Sequence, residues 1–300
     1  MKFINPVAIT DAMLISSTRA EDDYTAWASG TTYALAARVI STTTHRIYES
    51  VQAGNLNHNP ITDSGTWWID VGPTNRWAMF DQTVGTVTAQ ATPLTVVLAP
   101  GAVTALALLD LEGADVTVTM TDTPGGTVVY SHTAALIEDD PPVVDWWTYY
   151  TAEFAQRASV ILDGLPYYAT CRLTVAITAA ATARCGTLAA GRSVTIGKTL
   201  AKPKIGITDY SRKETDEWGV TSVVQRAYAR RIDVDVLLDS VLVDSVALAL
   251  AQVRATPVVW IGDNLGHYDS MMIYGWVRDW DIVIAGPVIS DARLTIEGLT

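Results

Sequence analysis

Six aromatic residues crowd one short stretch of this chain: Tyr24, Trp27, Tyr33, Tyr48, Trp67 and Trp68. Flat rings stack on the C–H faces of sugars and amide side chains bond the hydroxyls. Such a set on a rigid β surface therefore suits glycan binding. Asn55, Asn57 and Asn59 lie between the aromatic groups and supply the amides. The competing role is structural, because each ring buries about 150–250 Å² and six would fill the core of a tiny domain. A second run holds Trp146, Trp147, Tyr149 and Tyr150. In an extended chain neighbouring rings point to opposite faces, so two of these face inward and two outward. Trp146 and Tyr149 are expected at a contact with another subunit, since aromatics anchor interfaces.

Groups for catalysis are sparse. The histidines are His45, His58, His132 and His267, and none stands at zinc-ligand spacing. No Gly-x-Ser-x-Gly elbow, phosphate-binding glycine loop or dinucleotide fingerprint occurs. Any two of the 32 acidic residues could in principle pair across a cleft as in a glycosidase. Asp209, Asp216 and Glu217 are the nearest to such a pair, but Asp and Glu in such positions are ordinarily turn and strand-edge residues. Glu138, Asp139 and Asp140 offer oxygen ligands to calcium, yet the following Pro141-Pro142 suits an exposed acidic turn. The expectation is no enzyme, no metal and no cofactor.

The balance of the chain points the same way. Net charge is −12 over 300 residues, so no basic stripe is present for nucleic acid. Arg226, Arg230 and Arg231 are the one basic cluster, expected at a solvated strand edge or a subunit contact. No apolar run of about 20 residues is present, so no membrane insertion is expected. The first residues lack the apolar core of a signal peptide, which implies synthesis in a cytoplasm. Cys171 and Cys185 are expected as buried free thiols, although a bridge is possible if their strands are neighbours. Hydrophobic residues make up 49% and charged ones only 17%, so some apolar surface should be covered by other subunits.

The elements that must position these groups are strands. Val116–Met120 and Ile232–Val236 alternate with period two, and Pro124-Gly125-Gly126 marks a hairpin turn before Thr127–Tyr130. One helix is expected from Asp244 as N-cap to Arg254, with Val246, Leu250 and Val253 inward and Pro257 stopping it. The fold class is thus all-β, mainly antiparallel sandwiches or a barrel, with one helix in the C-terminal domain. Composition divides the chain into an arm (1–21), an aromatic-rich module (22–81), a sandwich (82–190) and a strictly alternating domain with the helix (191–300).

Three resemblances sharpen this reading. Tyr24-x-x-Trp27-x-x-Gly30-Thr31-Thr32-Tyr33, Val39, Tyr48-Glu49-Ser50, Pro60 and Trp67-Trp68 together resemble the small chitin-binding type of carbohydrate-binding module. That resemblance implies stacking by Trp27, Tyr33, Tyr48, Trp67 and Trp68, with Asn55 and Asn57 as polar contacts. The run Ile69–Asp81 departs from that family and is similar to the start of the next domain in phage tail proteins carrying such a module. Asn75–Asp81 and Cys185–Leu188 loosely resemble strands of galactose-binding-like sandwiches. Gly197–Leu200, Asp209-Tyr210-Ser211, Asp216–Gly219, Arg226–Tyr228, the helix, Thr256–Gly262, Tyr274–Trp280 and Leu294–Leu299 in that order resemble the end of siphophage tail-tip proteins.

The implied function is a structural component of a tailed-phage virion at the tail tip or baseplate, assembled in host cytoplasm. Its partners would be copies of itself in a ring, other tail proteins such as the tail tube and hub, and host cell-surface polysaccharide. One alternative is an adsorption protein whose main role is binding host polysaccharide. A more remote one is a polysaccharide-degrading enzyme with an accessory binding module.

Overall fold

Alternating sequence becomes antiparallel sheet throughout. The computed structural model describes residues 1–140, 145–151, 153–262 and 269–299, so Pro141-Pro142 and His267 lie outside the described residues. The Glu138, Asp139 and Asp140 side chains lie outside them too, although their backbone forms the strand Ile137–Asp140, paired with Glu153–Gln156. The protein is all-β, built mainly from antiparallel sheets. The chain packs as two compact units. One gathers Met1–Val7, Thr104–Leu106 and Ala189–Thr300; the other holds Ala8–Val103 and Ala107–Leu188.

In the first unit, Lys2–Pro6 pairs with Gly191–Thr195 on one side and with Val258–Ile261 on the other. The sheet continues through Met272–Val283, Ile289–Gly298 and Tyr228–Asp239 to an edge formed by Lys198–Thr199 and Lys204–Asp209. The alternation of Ile232, Val234, Val236 and Leu238 turns these side chains inward, where they meet Trp260, Leu294 and Ile296 in a dry core. The Trp260 ring lies 5.2 Å from Phe3, and its N–H donates to the Gly275 carbonyl at 3.1 Å. At Gly275 a side chain would have no room, since a Cβ would fall 2.1 Å from the Glu297 carbonyl oxygen of the neighbouring strand.

The helix forms where expected, with a different start. Asp239, not Asp244, caps a 3-10 turn at Ser240–Leu242, accepting from the Val241 N–H at 3.1 Å. The α-helix then runs Val243–Gln252, with Asp244 inside its first turn. Val246, Leu250 and Val253 are buried on the core face, as their spacing requires. Ala255 takes a left-handed conformation (φ 57°) just ahead of Pro257, which completes the stop.

The second unit holds a five-stranded sheet in the order Val128–Ala135, Asp115–Thr121, Arg172–Thr178, Leu94–Leu98, Leu14–Ser17. Val116, Val118 and Met120 alternate inward with Leu173, Val175 and Ile177. The hairpin at Pro124-Gly125-Gly126 forms as expected, closed by the Asp122 N–H donating to Thr127 at 3.1 Å. Cys171 and Cys185 are both buried and both free. Burial, followed by the nearby Asp110 charge, pushes the Cys185 thiol up to about 12, so it packs as a small apolar group.

Candidate functional site

The aromatic residues 24–68 are organised by a three-stranded sheet of Arg38–Ser41, Arg46–Ser50 and Trp68–Pro73, beside the short pair Thr32–Tyr33 and Asn55–Leu56. So small a sheet has little aliphatic side chain to bury, and the rings supply its core. Tyr33, Val39, Tyr48 and Trp68 form that core, with Trp27 and Trp67 packed against its margin. Tyr33 meets Trp68 edge to face at 5.1 Å. The polar edges of the three core rings are satisfied: Tyr33 Oη accepts the Ala28 N–H at 2.8 Å, Tyr48 Oη shares a 3.1 Å bond with Thr44, and Trp68 donates to the His58 carbonyl at 2.8 Å.

This placement divides the residues singled out for stacking. Trp68 is only 2% exposed and Tyr33 only 9%, and Tyr48 is likewise buried, so none of the three offers a ring face to a sugar. Asn55 is buried too, donating to Ser50 Oγ at 2.9 Å and to the Trp67 carbonyl at 3.3 Å, which makes it a brace for the core. Trp27 and Trp67 remain half-buried, and Asn57 is exposed at the tip of a turn with φ 56°.

Trp67 is the best organised of these. His58 stacks on it at 3.9 Å with the rings 9° from parallel. The backbone behind it is held by Asp63, whose Oδ2 accepts the N–H groups of Gly65, Trp67 and Trp68, each at 3.0 Å. Burial works to raise the Asp63 pKa, but the backbone donors of Trp68, Trp67, Gly65 and Thr66 outweigh it and hold the carboxyl below its ordinary value.

A polar cluster that spacing alone does not reveal sits at the other end of the same sheet. The His45 Nδ1 lies 3.1 Å from Glu21 and its Nε2 3.1 Å from Asp11, while Trp77 stacks on the ring at 4.0 Å. Thr74 Oγ1 donates to Glu21 at 3.0 Å, and the Thr74 N–H donates to the His45 carbonyl at 2.8 Å. Of these groups Asp11, His45 and Trp77 border an open cleft of about 350 Å³ with Thr43, Arg46 and Asp81. Residues 11, 21 and 45 meet only through the fold, so no local motif marks them. With both ring nitrogens and the carboxylates engaged with one another, the cluster works as a latch tying residues 11 and 21 to the Ser41–Arg46 hairpin.

The second aromatic run corrects an expectation. Trp146–Thr151 is a short helix, not an extended strand, so its rings do not divide between two faces. Trp146, Trp147, Tyr149 and Tyr150 are all exposed, Trp146 by 77%. Trp146 rests edge to face on Tyr149 at 6.0 Å.

Two of the three carboxylates considered for catalysis, Asp209 and Asp216, build turns. Asp209 accepts the Ser211 N–H at 2.8 Å, and hydrogen bonds from the Ser211 side chain and backbone lower its pKa. Asp216 Oδ1 accepts the N–H groups of Trp218 (3.0 Å) and Val220 (2.7 Å). Arg226 and Arg230 are both exposed. Among the described residues no group of three or more His, Cys, Asp or Glu is arranged to hold a metal ion. No described helix is long and apolar enough to cross a membrane. No protein family, curated protein or solved structure matches this chain.

Proposed function

We propose that this chain is a structural subunit of a tailed-phage virion, placed at the tail tip or baseplate and assembled as a ring with copies of itself against other tail proteins such as the tube and hub. One observation carries the assembly part of this reading. Residues 212–228 are all exposed, although they form most of a paired β-hairpin. A two-stranded hairpin open on both faces is marginal in water, and this one also displays Trp218 and Val223. Such a device gains its stability from a partner, as subunits of an assembly do. The order of motifs through residues 191–300 supplies the virion part. The test is negative-stain imaging of tails labelled through a tag on this chain. Label at the tail tip is expected, and label elsewhere on the particle rejects the reading.

A second reading, adsorption through host polysaccharide, is favoured by the braced Trp67–His58 pair. Weak single sites of about millimolar affinity suffice on a multivalent particle. On a glycan array, Trp67→Ala and Trp27→Ala are expected to abolish binding. Unchanged binding by both variants removes the stacking role.

A further inference from the structure

The helix Trp146–Thr151 gathers three rings into one cluster. Positions three and four apart are neighbours on a helix surface, so Trp146 meets Tyr149 and Tyr150, while Trp147 lies about 100° further round the axis. Trp146 and Tyr150 stand 25° from parallel with their centroids 6.5 Å apart. Tyr149 crosses between them, at 75° and 6.0 Å to Trp146 and at 87° and 5.3 Å to Tyr150. The arrangement is two walls and one end of a box. The turn that carries it is fixed by the Tyr149 N–H, which donates to the Asp145 carbonyl at 3.0 Å, and by Thr151 Oγ1, which donates to the Trp147 carbonyl at 2.7 Å. All three rings are open to solvent.

A box of this kind has a preferred occupant. An aromatic ring is negative on its face and positive at its edge, so several faces around one point attract a cation. The three centroids lie within 6.5 Å of one another. One cation can therefore stand within about 6 Å of all three, the range over which the attraction acts.

The charge of the surrounding chain selects the same sign. Residues 77–156 contain no Lys or Arg and ten of the chain's 32 acidic residues, five of them from Glu138 to Glu153. The strand pair that leads to the helix ends with Asp140 opposite Glu153, and the helix lies in the connection between them. Such a field draws cations and disfavours nucleic acid and anionic surfaces. The rings then select the kind of cation. A lysine ammonium is strongly hydrated and needs acceptors for three N–H groups, which ring faces do not replace. A quaternary ammonium has no N–H to satisfy, and its methyl groups pack on the rings while its charge meets their faces.

We propose that Trp146, Tyr149 and Tyr150 form a binding site for a quaternary ammonium, the trimethylammonium group carried by free choline and by the choline headgroup of a lipid. The site is independent of the assembly reading above. It calls for no membrane-spanning segment, since only a headgroup would enter the box.

The test is saturation-transfer NMR from the full chain to the methyl protons of choline at fixed ionic strength. Half-saturation is expected on the order of 10 mM, the strength of a few exposed cation–π contacts. The uncharged alcohol of the same shape, with carbon in place of nitrogen, is expected to give no comparable signal. Trp146→Ala and Tyr150→Ala are each expected to weaken binding about threefold or more, with thermal unfolding unchanged because both side chains are exposed. Tyr150→Phe, which keeps the ring face, and Trp147→Ala are expected to retain binding. The absence of a choline signal overturns the proposal. Equal binding of the neutral alcohol, or choline binding unchanged in both alanine variants, does the same. Sedimentation with phosphatidylcholine vesicles, against phosphatidylglycerol vesicles, then separates the sources. Retention on phosphatidylcholine that is lost in Trp146→Ala assigns the lipid headgroup, and choline binding without retention assigns the free cation. Stronger retention on phosphatidylglycerol contradicts the selection for a cation and overturns the site.

Discussion

Asp63 shows how a single carboxylate sets up a surface. It orders a loop by accepting backbone N–H groups at 3.0 Å, and those donors hold Trp67 beside His58 while Trp68 enters the core. Its folded pKa lies below the ordinary 3.8, so its contribution is fully present above about pH 5 and is lost as the pH falls through 3.8 and then through the lower folded value. Asp63→Ala is therefore expected to cost about 1–3 kcal/mol near neutral pH, read by denaturant unfolding. The difference from wild type should shrink as the pH falls below 3.8 and through the lower folded value, where the wild-type chain loses the charge as well. A penalty that stays constant with pH would assign the effect to packing instead. The six aromatic residues were legible in the sequence as a set, but which ring faces solvent was not. Trp67 and Trp68 are adjacent in an alternating strand start, and only the position of the sheet's core decides which of them is buried.

At the scale of elements, the helix Val243–Gln252 makes the clearest case. Its inward residues follow from spacing, whereas its cap does not, because Asp239 and Asp244 are both plausible N-caps and the 3-10 turn selects the earlier one. Leu250 is fully buried and Leu248, two residues earlier, is exposed. Leu250→Ala is expected to cost about 2–5 kcal/mol, against less than about 0.5 kcal/mol for Leu248→Ala, in chemical denaturation. Similar losses for both would mean that the helix does not present this face to the core. The aromatic helix Trp146–Thr151 shows the opposite situation. Two Trp, two Tyr and two Thr favour a strand locally, and no spacing signal marks a six-residue helix, so the extended reading failed there.

For the whole molecule, the sum of charge sets how copies meet. Copies of a chain with net charge −12 repel one another at long range. Salt screens that repulsion, with a Debye length falling from about 10 Å at 0.1 M to about 3 Å at 1 M. If apolar surface governs assembly, self-association should strengthen as salt is raised over that range, measured by light scattering at fixed protein concentration. Weaker association in high salt would show that attraction between opposite charges holds the copies together.

By itself the sequence determined the class of this fold, the hairpin at Pro124–Gly126, the core face of the helix and the burial of both cysteines. Each of these depends on local periodicity or on the general cost of exposing apolar groups, which neighbouring residues already express. Only the tertiary structure decided the rest. It brought Asp11, Glu21 and His45 together, sent Tyr33, Tyr48, Trp68 and Asn55 into the core while leaving Trp27 and Trp67 at its margin, and left residues 212–228 exposed. Those outcomes depend on which strand lies beside which, and pairing between distant segments is set by the packing of the whole sheet rather than by the residues within any one strand.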